Sequence, residues 1–514
     1  MTETAADPGW RISGLAGRRQ DVIDRLRPGV AADPIPTRLS WLLTGAVAVL
    51  AALLRWPRLG QPADLVFDEV YYAKDAWALV TTGVEVEVDL GTLTRAGDER
   101  VLAESASFVV HPPLGKWLIG VGELLVGITP TGWRVTVAVL GVLAVILLAR
   151  IARRLTGSTV LGTLAGLLLA VDGLAIVMSR TALLDGILMV ALLAAFGCLL
   201  CDRDWTRSRL AEQLGAGAEP DRVAIGWRPW LWGAGALLGC ALATKWSAVW
   251  FILVLAVMWL LWEAGALRLL GVRAPFARAL MTSGGWGVAA LGVVPGAVYL
   301  LSWSGWFLTD RGYGRADAVG PVEVLMAWLT YQRQALTFHS GLTADHSYQA
   351  GAWLWPLLLR PTAFAYDGAA VGCGTGECVT EVIALANPIL WWLAIAAVVW
   401  QAWRWLADRD WRSGAVLSGV LAGWVPWLFF PARTTFAFYT IVVLPFLILA
   451  LVLTAGSLLG TPGDPPRRRQ LGAGAVGVVV VACLIATWFF FPVWTSLPMP
   501  RDEWGWRMWL PSWI

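Results

Sequence analysis

Few residues in this chain can do acid–base or ionic chemistry, so their placement carries the functional reading. Asp68 and Glu69 stand side by side in DLVFDEVYYAKDAW (64–77), just beyond a long apolar run and wrapped in Phe67, Val70, Tyr71 and Tyr72. Acids favour the first turn of a helix through its dipole, which is enough to explain an isolated pair. At an apolar membrane surface, however, a carboxylate is pushed towards a raised pKa and can serve as a general base near neutral pH. Neighbouring helical positions point about 100° apart, so only one of the two acids can face a given substrate.

Other ionisable groups recur in similar surroundings. HPPLGKW (111–117) carries His111 and Lys116. It reads as a Pro-started interfacial helix anchored by Lys116 and Trp117, or as an imidazole and a cation set beside the acids. Arg134, Asp172, Arg180, Asp185, Lys245 and Arg433 lie within or at the edge of apolar runs, where a charge is costly and marks function or a buried pair. Arg180 and Asp185, in SRTALLDGILM, are spaced to pair across one end of a hairpin. Arg134, Lys245 and Arg433 fall near one interface. Three cations converging there suit an anionic headgroup such as a lipid phosphate, with snorkelling to ordinary lipid as the alternative.

These residues need elements to hold them, and composition says which. The 514 residues are 58% hydrophobic and 15% charged, against about a quarter charged in a soluble protein. Eleven apolar stretches lie near 39–56, 132–150, 158–178, 182–200, 229–244, 246–262, 281–302, 387–404, 413–430, 436–458 and 471–492. Most are long enough to cross a hydrocarbon core of roughly 30 Å. The expected class is an all-α polytopic integral membrane protein. Residues 1–38 are polar, with six arginines and no apolar signal core, so the first span should act as its own insertion signal.

Arginine-rich loops at 150–154, 203–228, 268–278, 403–412 and 465–469 alternate with the spans. Assigning them to the cytoplasm places the N-terminus inside and the C-terminus outside. The expected organisation is a cytoplasmic segment 1–38, a transmembrane catalytic unit 39–492 and an outer tail 493–514. Two large outer loops, 57–131 and 303–386, then hold Asp68, Glu69 and all three histidines, His111, His339 and His346. Amphipathic stretches in these loops, such as VEVLMAWLTYQRQALTF (322–338), should lie in the interface. EVEVDLGTLTRAGDER reads as an exposed excursion. Cys373 and Cys378 could close a small disulfide, whereas Cys198 and Cys201 have no second pair or histidine nearby to make a zinc site. No cofactor is evident, and assistance by a divalent metal is left open. Arg outnumbers Lys 36 to 3, which points to a GC-rich genome.

FDEVYYAKDAW, HPPLGKW, GWRVTVAVLG, MSRTALLDGILM, ATKWSAVW, HSGLTADHSYQ and NPILWW, in this order, resemble the protein O-mannosyltransferases. That family belongs to the integral-membrane glycosyltransferases with the GT-C fold, and the resemblance covers about residues 39–450, with the actinobacterial members most similar. It implies inverting transfer of mannose from polyprenyl-phosphate-mannose to Ser or Thr hydroxyls of secreted or translocating proteins. The reaction would lie on the outer face of the plasma membrane, near the translocation machinery. The family motif maps the catalytic base onto Asp68 and a supporting acid onto Glu69. Arg134 matches the second-span arginine, Arg180 and Asp185 the RxxxxD motif, and His346 the loop histidine. Arg134, Arg180, Lys245 and Arg433 are thus the candidates for donor phosphate and lipid, with His111, Lys116, Asp185 and His346 in substrate-binding or supporting places. The eukaryotic branch inserts a β-trefoil domain for which 303–386 has no room, so peptide capture falls to the membrane-embedded loops.

Two other readings compete. A related transferase could use a lipid-phosphate sugar on a glycolipid or a cell-wall glycan. A transporter is disfavoured, because no internal repeat is visible and the polar residues gather on one face. Nothing in the sequence suggests a nucleic-acid partner.

Overall fold

The eleven apolar stretches fold wholly or mostly as helix in the computed structural model, which describes residues 19–27, 33–88, 102–219, 223, 225–374 and 376–514. The first is α1 (Thr37–Arg55). Two helices follow in the first large loop, α2 (Glu69–Thr82) and α3 (Leu114–Val126). Next come α4 (Pro130–Thr156), α5 (Thr159–Val171), the short α6 (Gly173–Met178) and α7 (Leu184–Gly215). The chain continues through α8 (Pro229–Leu242), α9 (Ala248–Leu269) and α10 (Pro275–Ser302). The second large loop holds α11 (Pro321–Gly341). Four more long helices follow, α12 (Pro388–Asp408), α13 (Trp411–Trp424), α14 (Leu444–Leu459) and α15 (Pro466–Trp494).

Local chemistry sets the helix ends. Thr129 accepts from the Gly132 amide and Pro130 takes the first helical position of α4, which closes at Gly157 with φ 70°. Ser158 then accepts from the Leu161 amide to open α5. The chain therefore reverses within two residues, and α4 and α5 pack side by side. Asn387 and Asp410 cap α12 and α13 in the same way.

Seven of the described helices are long and apolar enough to cross a bilayer alone, while α5, α8 and α14 are shorter. Burial separates the centre from the rim. The apolar window of α7 is 72% buried, against 17% for α10 and 22% for α1. The rim helices turn large apolar side chains outward, among them Leu42 and Leu53 on α1 and Val478 and Trp488 on α15, as lipid contact requires.

The two large loops are not purely helical. In the first, β1 (Val86–Val88) pairs antiparallel with β2 (Leu102–Ala106). Residues 86–88 of the excursion expected at 85–100 thus form one strand of a hairpin, and its 89–100 portion lies outside the described residues. In the second, β3 (Thr362–Ala370) and β4 (Cys378–Ala384) form an antiparallel sheet that β5 (Met499–Pro500), from the C-terminal tail, extends at β4. A disulfide joins Cys373 to Cys378 between its first two strands. The 322–338 stretch does form an amphipathic helix, α11, which leaves Val322, Leu325, Met326, Leu329 and Leu336 exposed.

Candidate active site

Asp68 is aimed by its neighbour. Phe67 sits at φ 50°, a left-handed conformation that a bulky residue adopts only when its surroundings enforce it. The enforcement is visible: the Phe67 ring stacks on Phe364 at 5.0 Å and meets Phe436 at 5.4 Å and Phe438 at 5.5 Å edge-on. His346 closes the cage at 5.9 Å. Such aromatic pairs add about 0.5–1.5 kcal/mol each beyond their area. The kink they hold starts α2 at once, with Asp68 as its N-cap residue and Glu69 in its first turn.

The two acids then part company. Glu69 is fully buried and accepts four hydrogen bonds. Arg134 Nε gives one at 2.8 Å and Nη2 one at 2.7 Å, while the Ala182 and Val66 amides add theirs at 2.8 and 3.0 Å. Arg134 spends its remaining donors on the carbonyls of Leu59, Pro62 and Asp64. Among the described residues Asp68 meets only the Tyr72 hydroxyl, at 3.4 Å. Its pKa is raised to about 6: burial pushes it up, the nearby ammonium of Lys245 pulls it down in part, and Asp185 pushes it up again.

Beside Asp68, Lys245 Nζ donates to both oxygens of Asp185 at 2.9 Å and lies 4.3 Å from the centre of the Tyr439 ring. Lys245 also lines a cleft of about 240 Å³ together with His111, Trp246, His339, Trp427 and Arg433. The two imidazoles are 4.8 Å apart, and His339 Nε2 contacts the Val110 carbonyl at 2.8 Å. Burial, with the positive neighbours Lys245 and Arg433 adding to it, lowers the pKa of both histidines. They are therefore neutral near pH 7, and the positive charge of the cleft is that of Lys245 and Arg433. Arg433 uses two donors, Nε on the His339 carbonyl and Nη1 on the Thr434 carbonyl. Among the described residues no group of three His, Cys, Asp or Glu side chains is placed to hold a metal ion.

Comparison with known proteins places this geometry. Residues 45–304 match the family model described as dolichyl-phosphate-mannose-protein mannosyltransferase. Residues 324–513 match the C-terminal four-transmembrane region of protein-O-mannosyltransferase. The chain belongs to the protein O-mannosyltransferase family. The polyprenol-phosphate-mannose–protein mannosyltransferase of Mycolicibacterium smegmatis is 38% identical to this family member over 502 residues, covering 93% of this chain and 94% of that protein. The protein of the same name from Mycobacterium tuberculosis is also 38% identical, over 93% of each chain. The fold is that of the Saccharomyces cerevisiae protein O-mannosyltransferase Pmt1–Pmt2 complex bound to the sugar donor (TM-score 0.71, 14% identity, 98% of this chain and 94% of that one). ArnT from Cupriavidus metallidurans shares it more distantly (TM-score 0.51, 16% identity, 90% and 77% covered). The fold is therefore of the GT-C class.

Within this mannosyltransferase scaffold, the residues picked out from sequence divide into two groups. Asp68, His111, Asp185, Lys245 and Arg433 gather around the cleft. The others do not. Arg134 was expected at the donor phosphate, but its five donors are consumed by Glu69 and three carbonyls. Arg180 does not pair with Asp185. It clamps the chain leaving α1, donating to the Arg55, Pro57 and Arg58 carbonyls at 2.6–2.9 Å, while Asp185 takes Lys245. Lys116 is neither a headgroup anchor nor a partner of the acid pair. It is buried against Glu85 at 2.6 Å and Asp75 at 3.9 Å, tying α3 to α2 and to the segment entering β1. His346 is exposed and walls the Phe67 cage rather than the cleft.

Sequence reasoning did not assign roles to Tyr72, Tyr439, Trp246 and Trp427. His339 was noted only as one of three histidines. That rarity was the one usable signal, because His339 and His111 meet face to face from separate loops.

Proposed function

We propose that this chain transfers mannose from a polyprenyl-phosphate-mannose donor to Ser or Thr hydroxyls of proteins, with Asp68 as the base. The observation that carries the assignment is the division of labour at 68–69: Glu69 has no acceptor capacity to spare, whereas Asp68 is half-buried, nearly unpaired and next to the Lys245–Asp185 pair. In the reaction the acceptor oxygen bonds to the anomeric carbon as the bond from that carbon to the phosphate oxygen breaks. The hydroxyl proton passes to Asp68, and the lipid phosphate departs with the electron pair. Attack opposite the leaving group inverts the anomeric centre. Lys245 and Arg433 would meet the charge growing on the phosphate, in a cleft dry enough for fixed cations to count. A base of pKa about 6 is largely ionised at neutral pH yet more basic than a free aspartate. His111 Nδ1, buried without a hydrogen-bond partner among the described residues, is available to a sugar or acceptor hydroxyl.

The face bearing Asp68 would be the outer face of the plasma membrane, because the arginine-rich loops lie at the other ends of the helices. Acceptors would reach it as unfolded segments emerging from translocation.

The test incubates membranes containing the protein with labelled polyprenyl-phosphate-mannose and a Ser/Thr/Pro-rich peptide. Label on the peptide, lost in Asp68→Ala at normal expression, is the expected result. Label confined to glycolipid would move the assignment to a different acceptor. Thiol labelling of cysteines introduced near 215 and 317 tests orientation, and only the second should react from outside.

A further inference from the structure

At the opposite end of the helices lies a second built site. Arg154, at the C-terminal end of α4, is 20 residues from Arg134, or about 30 Å along the helix at 1.5 Å per residue. There a pocket of about 220 Å³ is lined by Arg25, Arg27, Arg154, Arg203, Arg207 and Arg412. The single acid in its lining, Asp204, is already shared between Arg154 at 2.5 Å and Arg203 at 3.4 Å.

An arginine-rich end is expected of a membrane protein, but arginines there for topology alone would be solvated. These are not. Arg203 is 6% exposed, with its guanidinium 3.4 Å from the centre of the Trp411 ring. The Nε atoms of Arg203 and Arg207 are buried and meet no hydrogen-bond partner among the described residues. A buried donor left unpaired is costly, and so is a set of like charges around one cavity. Four separate segments have to be held in place to build it. The short helix over 19–26 packs Ile23 and Leu26 against Leu210, Leu214 and Leu270, and Arg19 fixes it by donating to the Leu214 and Ala218 carbonyls at 2.8 and 2.9 Å. The end of α4, the middle of α7 and the start of α13 complete the ring.

We propose that this pocket binds a phosphate-bearing anion. Its guanidiniums would chelate the phosphate oxygens with charge-assisted bonds. A volume several times the roughly 30 Å³ share of one water admits the phosphate together with part of its ester. The anion is either the headgroup of an acidic lipid in that leaflet, as basic pockets between transmembrane helices favour, or a soluble phosphate. Once bound, it ties the N-terminal segment to α4, α7 and α13.

The test uses the delipidated full chain in detergent. One arm titrates inorganic phosphate, the other dihexanoyl-phosphatidic acid below its micelle concentration, and both read the unfolding midpoint and the dissociation constant. The expected result is saturable stabilisation in at least one arm, with affinity about tenfold weaker in Arg207→Gln and in Arg412→Gln. Arg209→Gln, on an exposed residue outside the pocket paired with Glu212, leaves the affinity unchanged. The Arg412 side chain is 43% exposed, so that variant folds even if Arg207→Gln does not. Response to the lipid alone identifies a headgroup, and equal response to both identifies the phosphate itself. No stabilisation in either arm, or the same affinity in wild type and both pocket variants, overturns the proposal.

Discussion

Replacing either member of the Asp68–Glu69 pair by its amide should give opposite phenotypes, although the residues are adjacent and chemically alike. Asp68 pays for its position: burial lifts its pKa from the ordinary 3.8 to about 6. At 1.36 kcal/mol per pH unit, that rise means the ionised carboxylate destabilises the fold by on the order of 3 kcal/mol. The folded-state pKa is the raised one, so stability is lost as pH climbs from about 4 to about 6 and is level above. Asp68→Asn removes the charge and keeps an acceptor for the Tyr72 hydroxyl. It should be more stable than wild type by about 1–3 kcal/mol at pH 7.5 and lose 10²–10⁴-fold in transfer rate, as expected for a missing general base. Glu69→Gln must turn an NH₂ towards two of the four donors, one of them on Arg134, whichever oxygen it replaces. Breaking that buried pair costs about 3–5 kcal/mol. Unfolding midpoints in detergent and initial rates with labelled donor and peptide, measured on matched folded protein, separate the two. Destabilisation by Asp68→Asn, retention of more than a tenth of the rate in that variant, or an unchanged midpoint in Glu69→Gln would each refute the reasoning.

Three further outcomes follow from the same geometry. Lys245→Gln should lower both rate and stability, because Asp185 is left buried without its partner. Adding Asp185→Asn should restore the midpoint but not the rate, a non-additive cycle readable by thermal unfolding. The transfer rate should rise with pH through a single ionisation near 6. That limb should persist in His111→Gln and His339→Gln, since burial and the neighbouring cations hold both imidazoles below their ordinary range; a limb that vanishes with either histidine would reassign it. Lys116→Met should lower the unfolding midpoint while leaving the KM for donor unchanged, because its ammonium serves Glu85 and Asp75 rather than the cleft.

The helices were legible from sequence because lipid imposes a long apolar run whatever the helix packs against. The roles of individual charges were not, because those roles are set by pairs distant in the chain. Arg134 finds Glu69 across 65 positions and Lys245 finds Asp185 across 60, and no local pattern announces either. Arg180 and Asp185 misled for the converse reason. They are close in sequence, but α7 begins only at Leu184 and a turn over 179–181 sends the arginine back to the end of α1. The strands β1 and β5 escaped notice because they span only three and two residues, too few to show alternation. The separation of Asp68 from Glu69 was available only through the family motif, since the geometric reason for it lies in Arg134, Val66 and Ala182.

The Phe67 cage carries a consequence for biosynthesis. Its walls, His346, Phe364, Phe436 and Phe438, are translated long after the acid they aim. A nascent chain that has inserted only its early helices therefore carries the aspartate but not the clamp that gives it direction. Competence would arrive late and all at once, when the far end of the polypeptide docks. Stalled or truncated products would then sit in the membrane without glycosylating whatever passes them.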